Sequence, residues 1–184
     1  MLKELTKFRD LTSLNLDSTK ITDAGLKTVS KLTNLTYLSV CYTGVTDEGL
    51  KVIGDLKHLT SLSLNSTKVT DTGLKELAAL SELKWLTLNV TGITDTGLKE
   101  LAPLKKLVFL ELEHTEITDA GLKELSALKS LGNLRLSNTK ITDAGVKDLA
   151  ALGAIKYLEL RKTKLTDDGL KLLQKALPDC KIQN

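Results

Sequence analysis

The residues equipped for nucleophilic, acid–base or metal chemistry are few: two histidines, His58 and His114, and two cysteines, Cys41 and Cys180. A nucleophilic cysteine needs a histidine within roughly 3 Å. Cys41 and His114 stand three repeats apart, roughly 14 Å at strand spacing, so they form no such pair. His58 precedes Leu59 with no cysteine or histidine beside it. Glu111, Glu113 and His114 have the character of metal ligands, yet neighbouring strand positions point to opposite sides and the set is sparse. Seven adjacent Thr and Asp pairs, from Thr22 and Asp23 to Thr166 and Asp167, resemble catalytic residues only until their repetition is noticed. The expectation is a chain with no catalytic residue, no metal and no cofactor.

That repetition shows the elements that position everything else. ITDAGL at Ile21 returns as ITDTGL at Ile93, ITDAGL at Ile117 and ITDAGV at Ile141, with variants at Val45, Val69 and Leu165, always 24 residues apart. Leu14, Leu38, Leu62, Leu86, Leu110, Leu134 and Leu158 form one apolar column, and Leu16, Val40, Leu64, Leu88, Leu112, Leu136 and Leu160 a second. A third runs three residues ahead of the first, from Leu11 to Ile155. Alternation across Leu14 and Leu16 predicts a short strand, and spacing of three across Leu26, Val29 and Leu32 predicts a helix of two to three turns. One such unit cannot bury its own apolar columns, so the units must stack in register. The threonine of each ITD-type motif is placed as a helix N-cap, with Asp in the first turn where the helix dipole favours an anion; Asp as the cap is the alternative. The recurrent glycines, Gly25 to Gly169, are expected to let backbone pass close to the neighbouring unit. Neither phosphate-binding glycine pattern is present.

The pattern LxxLxLxxT, from Leu11 to Thr19 and again from Leu35, Leu59, Leu83, Leu107, Leu131 and Ile155, resembles the LxxLxLxxN of leucine-rich repeat proteins. The units are similar to the ribonuclease-inhibitor-like branch, but shorter. The resemblance covers nearly the whole chain and implies an α/β fold: a right-handed solenoid with a parallel concave β-sheet and convex helices. Thr19, Thr43, Thr67, Thr91, Thr115, Thr139 and Thr163 stand where the family has Asn. A hydroxyl donates only once, so a hydroxyl ladder with a different bonding pattern is expected there.

The 184 residues, 41% hydrophobic and 27% charged, fit a single domain over 1–184: a partial unit at 1–10, seven strand–helix units from 11, and a partial terminal strand at 177–182. The chain starts inside the helical half of a unit, with Leu2, Leu5 and Phe8 in the helix column. That start is either a rough cap or a cut through a longer solenoid, and the polar DCKIQN has the look of a true terminus. A net charge of +3, spread evenly, argues against nucleic acid or an anionic membrane as partner. The lysine column from Lys27 to Lys171 on the helical side is offset by Glu76, Glu100, Glu124 and Asp148 and suits a solvated face. No apolar run is long enough for a membrane helix, and MLKELTKFRD is not a secretory signal. Cys180 is expected as a core thiol of the last strand; Cys41 lies six strands away, roughly 29 Å, far beyond the roughly 7 Å a disulfide tolerates. The soluble interior of a cell is the default compartment.

Freedom to vary is confined to the outward strand columns. The first reads Ser13, Tyr37, Ser61, Trp85, Phe109, Asn133 and Tyr157, and the second Asn15, Ser39, Ser63, Thr87, Glu111, Arg135 and Glu159. The third holds Asp17, Cys41, Asn65, Asn89, Glu113, Ser137 and Arg161, with a rim of Ser18, Tyr42, Ser66, Val90, His114, Asn138 and Lys162. Five of the six aromatics fall here, although a core would normally recruit them. Trp85 and Phe109 with Val90 are the expected anchor of a binding face that extends through Tyr37, Tyr42, Glu111, Glu113, His114, Arg135, Tyr157, Glu159 and Arg161. The competing reading of the aromatics is that they merely pack against one another across strands, and of the charges that they satisfy one another. The function that follows is a noncatalytic scaffold for a protein or peptide. Its alternatives are a structural array that self-associates through its N-terminal edge near Leu14, or glycan recognition by Trp85 with Asn65 and Asn89.

Overall fold

A computed structural model describes Glu4 and residues 7–184. Leu2 and Leu5 lie outside the described residues; Phe8 is exposed. Eight three-residue strands follow one per unit: β1 (Ser13–Asn15), β2 (Tyr37–Ser39), β3 (Ser61–Ser63), β4 (Trp85–Thr87), β5 (Phe109–Glu111), β6 (Asn133–Arg135), β7 (Tyr157–Glu159) and β8 (Lys181–Gln183). They form one parallel sheet in chain order, with a constant register that sets Ser13 beside Tyr37, Trp85 beside Phe109 and Glu111 beside Arg135. Each connection is a helical crossover, so the chain winds as a right-handed solenoid, the hand such crossovers take. The terminal strand begins at Lys181, later than the Leu177 spacing suggested, and Cys180 just precedes it, only partly buried.

Strands repeat every ~4.8 Å while helices need about 10 Å, so the sheet becomes the concave side. The helical layer varies along the chain. Units 1 and 2 carry seven-residue α-helices, α1 (Asp23–Val29) and α2 (Asp47–Ile53). Units 3 to 5 have a single α-turn, α3 (Asp71–Leu74), α4 (Asp95–Leu98) and α5 (Asp119–Leu122), each running into a 3-10 segment. Unit 6 reverses that order, with 3-10 at Asp143–Gly145 before α6 (Val146–Ala150), and unit 7 ends in the ten-residue α7 (Asp167–Ala176). The 3-10 form fits Leu74, Leu77 and Leu80, whose spacing of three matches its three residues per turn and keeps every leucine inward. These columns are fully buried from Leu35 through Leu110. Removing one such side chain to Ala costs about 2–5 kcal/mol in a packed core.

Polar side chains tie the units together. The ITD threonine is indeed the N-cap: Thr46, Thr70, Thr94, Thr118 and Thr142 accept from the backbone N–H two residues on, and Thr166 from Gly169. The aspartate reaches across to the next unit. Asp71 accepts from Thr94 N–H at 2.8 Å and from Thr94 Oγ1 at 2.6 Å, and Asp23, Asp47, Asp95, Asp119 and Asp143 repeat this clamp on Thr46, Thr70, Thr118, Thr142 and Thr166. The clamp explains the glycine. A Cβ on Gly97 would stand well inside van der Waals contact with Asp71 Oδ1, so the neighbour it makes room for is a carboxylate rather than backbone. The threonines in the Asn position form their column by local bonds: each hydroxyl donates to the carbonyl three residues back, from Thr91 to Leu88 at 2.5 Å to Thr163 to Leu160 at 2.8 Å.

Candidate functional site

Because each strand is a single outward–inward–outward triplet, every concave side chain stands beside its counterpart 24 residues on. The C-terminal half of this face is a connected network. Arg135 on β6 bridges Glu111 at 3.1 Å and Glu159 at 3.6 Å, and Arg161 approaches Glu159 at 3.7 Å. The same guanidinium lies over Phe109 at 5.5 Å and Tyr157 at 5.8 Å, within cation–π range of both. Tyr157 Oη donates to Gln183 at 2.7 Å or Glu159 at 3.0 Å, and burial beside that carboxylate raises the phenol. These charges therefore satisfy one another, and Phe109 and Tyr157 serve as platforms for Arg135. Its Nε is buried without a hydrogen-bond partner.

Trp85 is the exception among the strand aromatics. It is 46% exposed although its register partners are Ser61 and Phe109. Tyr37 is half-buried at the start of β2. Val90 lies five residues further along the chain than Trp85, in the turn beyond the C-terminal end of β4. Tyr42, Val90 and His114 all occupy the rim, each at a positive φ of 54–57°, in line with Ser18, Ser66, Asn138 and Lys162. Glycine and asparagine favour this left-handed conformation, and a β-branched residue there is an outlier. Val90 is nevertheless 52% exposed and Tyr42 66% exposed.

The third column is less free than its variety suggests. Asp17 Oδ1 accepts from Cys41 N–H at 2.7 Å and Ser39 Oγ at 2.5 Å, Asn65 Oδ1 from Asn89 N–H at 2.9 Å, and Asn89 Oδ1 from Glu113 N–H at 2.8 Å. Ser39 and Cys41 are buried, and burial raises the Cys41 thiol. Asn89 Nδ2 donates to Glu111, so this amide is engaged within the solenoid rather than held ready for a sugar. The internal bonding stops at Glu113. No hydrogen bond or ion pair reaches its carboxylate among the described residues, and Ser137, 4% exposed, keeps an unpartnered hydroxyl. Burial, with Glu159 and Glu111 nearby, holds the Glu113 carboxyl above the usual range. Nothing in the sequence marks Ser137 as part of this group, because a serine in an outward column looks like any solvated one.

Among the described residues, no group of three or more His, Cys, Asp or Glu could hold a metal ion, and no helix is long and apolar enough to cross a membrane. Comparison with solved structures finds an internalin (inlF) from Listeria monocytogenes str. 4b F2365, 26% identical, with a TM-score of 0.81 over 100% of this chain and 50% of that one. An internalin C2 (inlC2) from the same strain is 25% identical, with a TM-score of 0.72 over 97% of this chain and 83% of that one. This chain thus spans half the length of the first of these proteins. No curated protein matches the sequence. A family model described as a leucine-rich repeat region matches residues 1–183, and with the unbroken 24-residue period and eight-stranded parallel sheet this shows that the chain belongs to the leucine-rich repeat family.

Proposed function

We propose that the chain is a noncatalytic scaffold that binds a protein or peptide across its concave sheet, with Trp85 as the principal anchor. One observation carries this reading. Trp85 is the only tryptophan of the chain, and it stands half out of the central strand β4, while Phe109 and Tyr157 on the same column are partly buried against Arg135. Trp is among the residues most enriched at binding hot spots, and a half-exposed one gains its remaining burial only from a partner. Tyr37, Phe109, Glu111, Arg135, Tyr157, Glu159 and Arg161 extend this surface along the strands; Tyr42, Val90, Glu113 and His114 line its rim.

Selection from a displayed peptide library on the wild type, with counter-screening on a Trp85→Ala, Phe109→Ala double variant checked by circular dichroism, tests this. Peptides retained by the first and lost by the second are expected. Peptides held equally by both would move the function off the aromatic column.

A second reading, self-association through the N-terminal edge, is favoured by Leu11, Leu14 and Leu16, which are only partly buried, unlike the columns they begin. Sedimentation at rising concentration tests it: a concentration-dependent oligomer abolished by a polar substitution at Leu14 is its signature. Assignment to the ribonuclease-inhibitor-like branch draws support from the α-helices of units 1, 2 and 7; the 3-10 segments of units 3 to 5 depart from an all-α convex layer.

A further inference from the structure

Deepening that reading, we infer that the partner presents a cationic side chain, lysine or arginine, to Glu113, with its aliphatic stem lying across Val90. Three neighbouring strands bring the pieces together. Val90 N–H donates to the Glu113 carbonyl at 2.9 Å and His114 N–H to the Ser137 carbonyl at 3.0 Å, so the main chain of Val90 adjoins that of Glu113, and His114 adjoins Ser137, just past the C-terminal ends of β4, β5 and β6.

Each group in this patch lacks something that an intramolecular neighbour supplies elsewhere. On the strands before it, the third-column side chains Asp17, Asn65 and Asn89 take the next strand's N–H. At Glu113 that bonding ends, and the carboxylate is left without donor or cation among the described residues. Glu111 and Glu159 offer it only like charge, since both are occupied with Arg135. On the next strand the Ser137 hydroxyl is buried and has no hydrogen-bond partner, so it offers Glu113 no donor. Desolvation and neighbouring carboxylates hold Glu113 above the usual range, as expected where an incoming cation would be welcome; Arg135 and His114 pull the other way with smaller effect.

Val90 supplies the apolar half of the match. It is β-branched, 52% exposed, and held at a φ of 56° that disfavours its shape, so it gains no conformational ease and only partial burial from the fold. A lysine or arginine fits both halves at once, because each carries an apolar stem behind its charge. A bare metal ion fits only one, and the described residues hold no metal-ligand group here.

The test uses two short probes, acetyl-Leu-Lys-Leu-amide and acetyl-Leu-Gln-Leu-amide, titrated into the isotope-labelled full chain while amide resonances are followed. The lysine probe is expected to shift Val90, Glu113, His114 and Ser137 and to bind about three- to fivefold more tightly than the glutamine probe, the upper part of the range of one partly exposed ion pair. In Glu113→Gln the two probes should become equivalent. Val90→Asn should weaken both probes while raising the melting temperature, so that the loss cannot be attributed to unfolding. Equal affinity of the two probes for the wild type, an undiminished lysine preference in Glu113→Gln, or no shift at these amides with the lysine probe would each overturn the inference. The scaffold reading is judged separately by peptides that depend on Trp85. If those persist while the lysine preference is absent, only the cation at Glu113 is lost.

Discussion

The Thr–Asp clamps and the Val90–Glu113 seam lie in the same units and follow opposite rules. Along the clamps, six aspartates meet six threonines of the following unit through the same two bonds, and both carboxylate oxygens are used. Along the seam, a carboxylate has no cation among the described residues, a hydroxyl has no partner and a valine sits in a conformation suited to asparagine. The contrast separates two kinds of polar residue in a repeat protein. A group whose bonds close within the solenoid fixes the stacking of units, and a group left open at the surface is available to something else.

The largest expected effect comes from disrupting the closed side. Gly97→Ala drives a methyl carbon into a carboxylate oxygen that is itself held by Thr94, and should cost about 2–4 kcal/mol in urea unfolding through overpacking and a lost hydrogen-bond pair. Adding Asp71→Ala to it should cost less than the two changes summed, because the second removes the obstacle. Asp95→Ala leaves the Thr118 N–H unpaired and should lose about 1–3 kcal/mol, read in the same way. On the open side the sign reverses. Val90→Asn should gain about 1 kcal/mol, since asparagine tolerates a left-handed backbone. Trp85→Ala should change stability by about 1 kcal/mol or less while removing peptide binding, because the residue is already 46% exposed to water.

Acid titration separates the clamps from the seam a second time. The Thr166 hydroxyl and backbone N–H lower the Asp143 carboxyl below its ordinary 3.8, so the clamp's contribution is present above that pH and is lost as pH falls through the folded value. Glu113 is raised above its ordinary 4.5; its contribution is present below 4.5 and lost as pH rises through the folded value. Asp143→Asn should therefore be less stable than wild type at neutral pH and converge on it in strong acid. Glu113→Gln should be the more stable at neutral pH and lose that advantage below about pH 4. Urea midpoints measured from about pH 3 to about pH 7, on the order of one unit apart, distinguish the two slopes.

Much of this architecture was legible from periodicity. The 24-residue period is enough to align Leu14 with Leu38 and Trp85 with Phe109, because equal unit lengths leave only one register that buries every leucine column. The N-cap threonines were legible for the same local reason. The cross-unit reach of the aspartates was not, although an outward residue repeated seven times beside a glycine was a usable signal. The concave network escaped as well: alternating charge at Glu111, Arg135 and Glu159 allowed either mutual pairing or availability to a partner, and only the observed 3.1 and 3.6 Å separations chose pairing.

Spacing along the chain was thus sufficient for the solenoid, its register and the identity of its outward columns, since each of these depends on distances counted in residues. Which of the outward residues are already engaged depends instead on how the units stack. Curvature and stacking set the distances between side chains 22 to 24 residues apart, and those distances buried Ser39 and Cys41, paired Arg135, and left Glu113 with an unanswered charge.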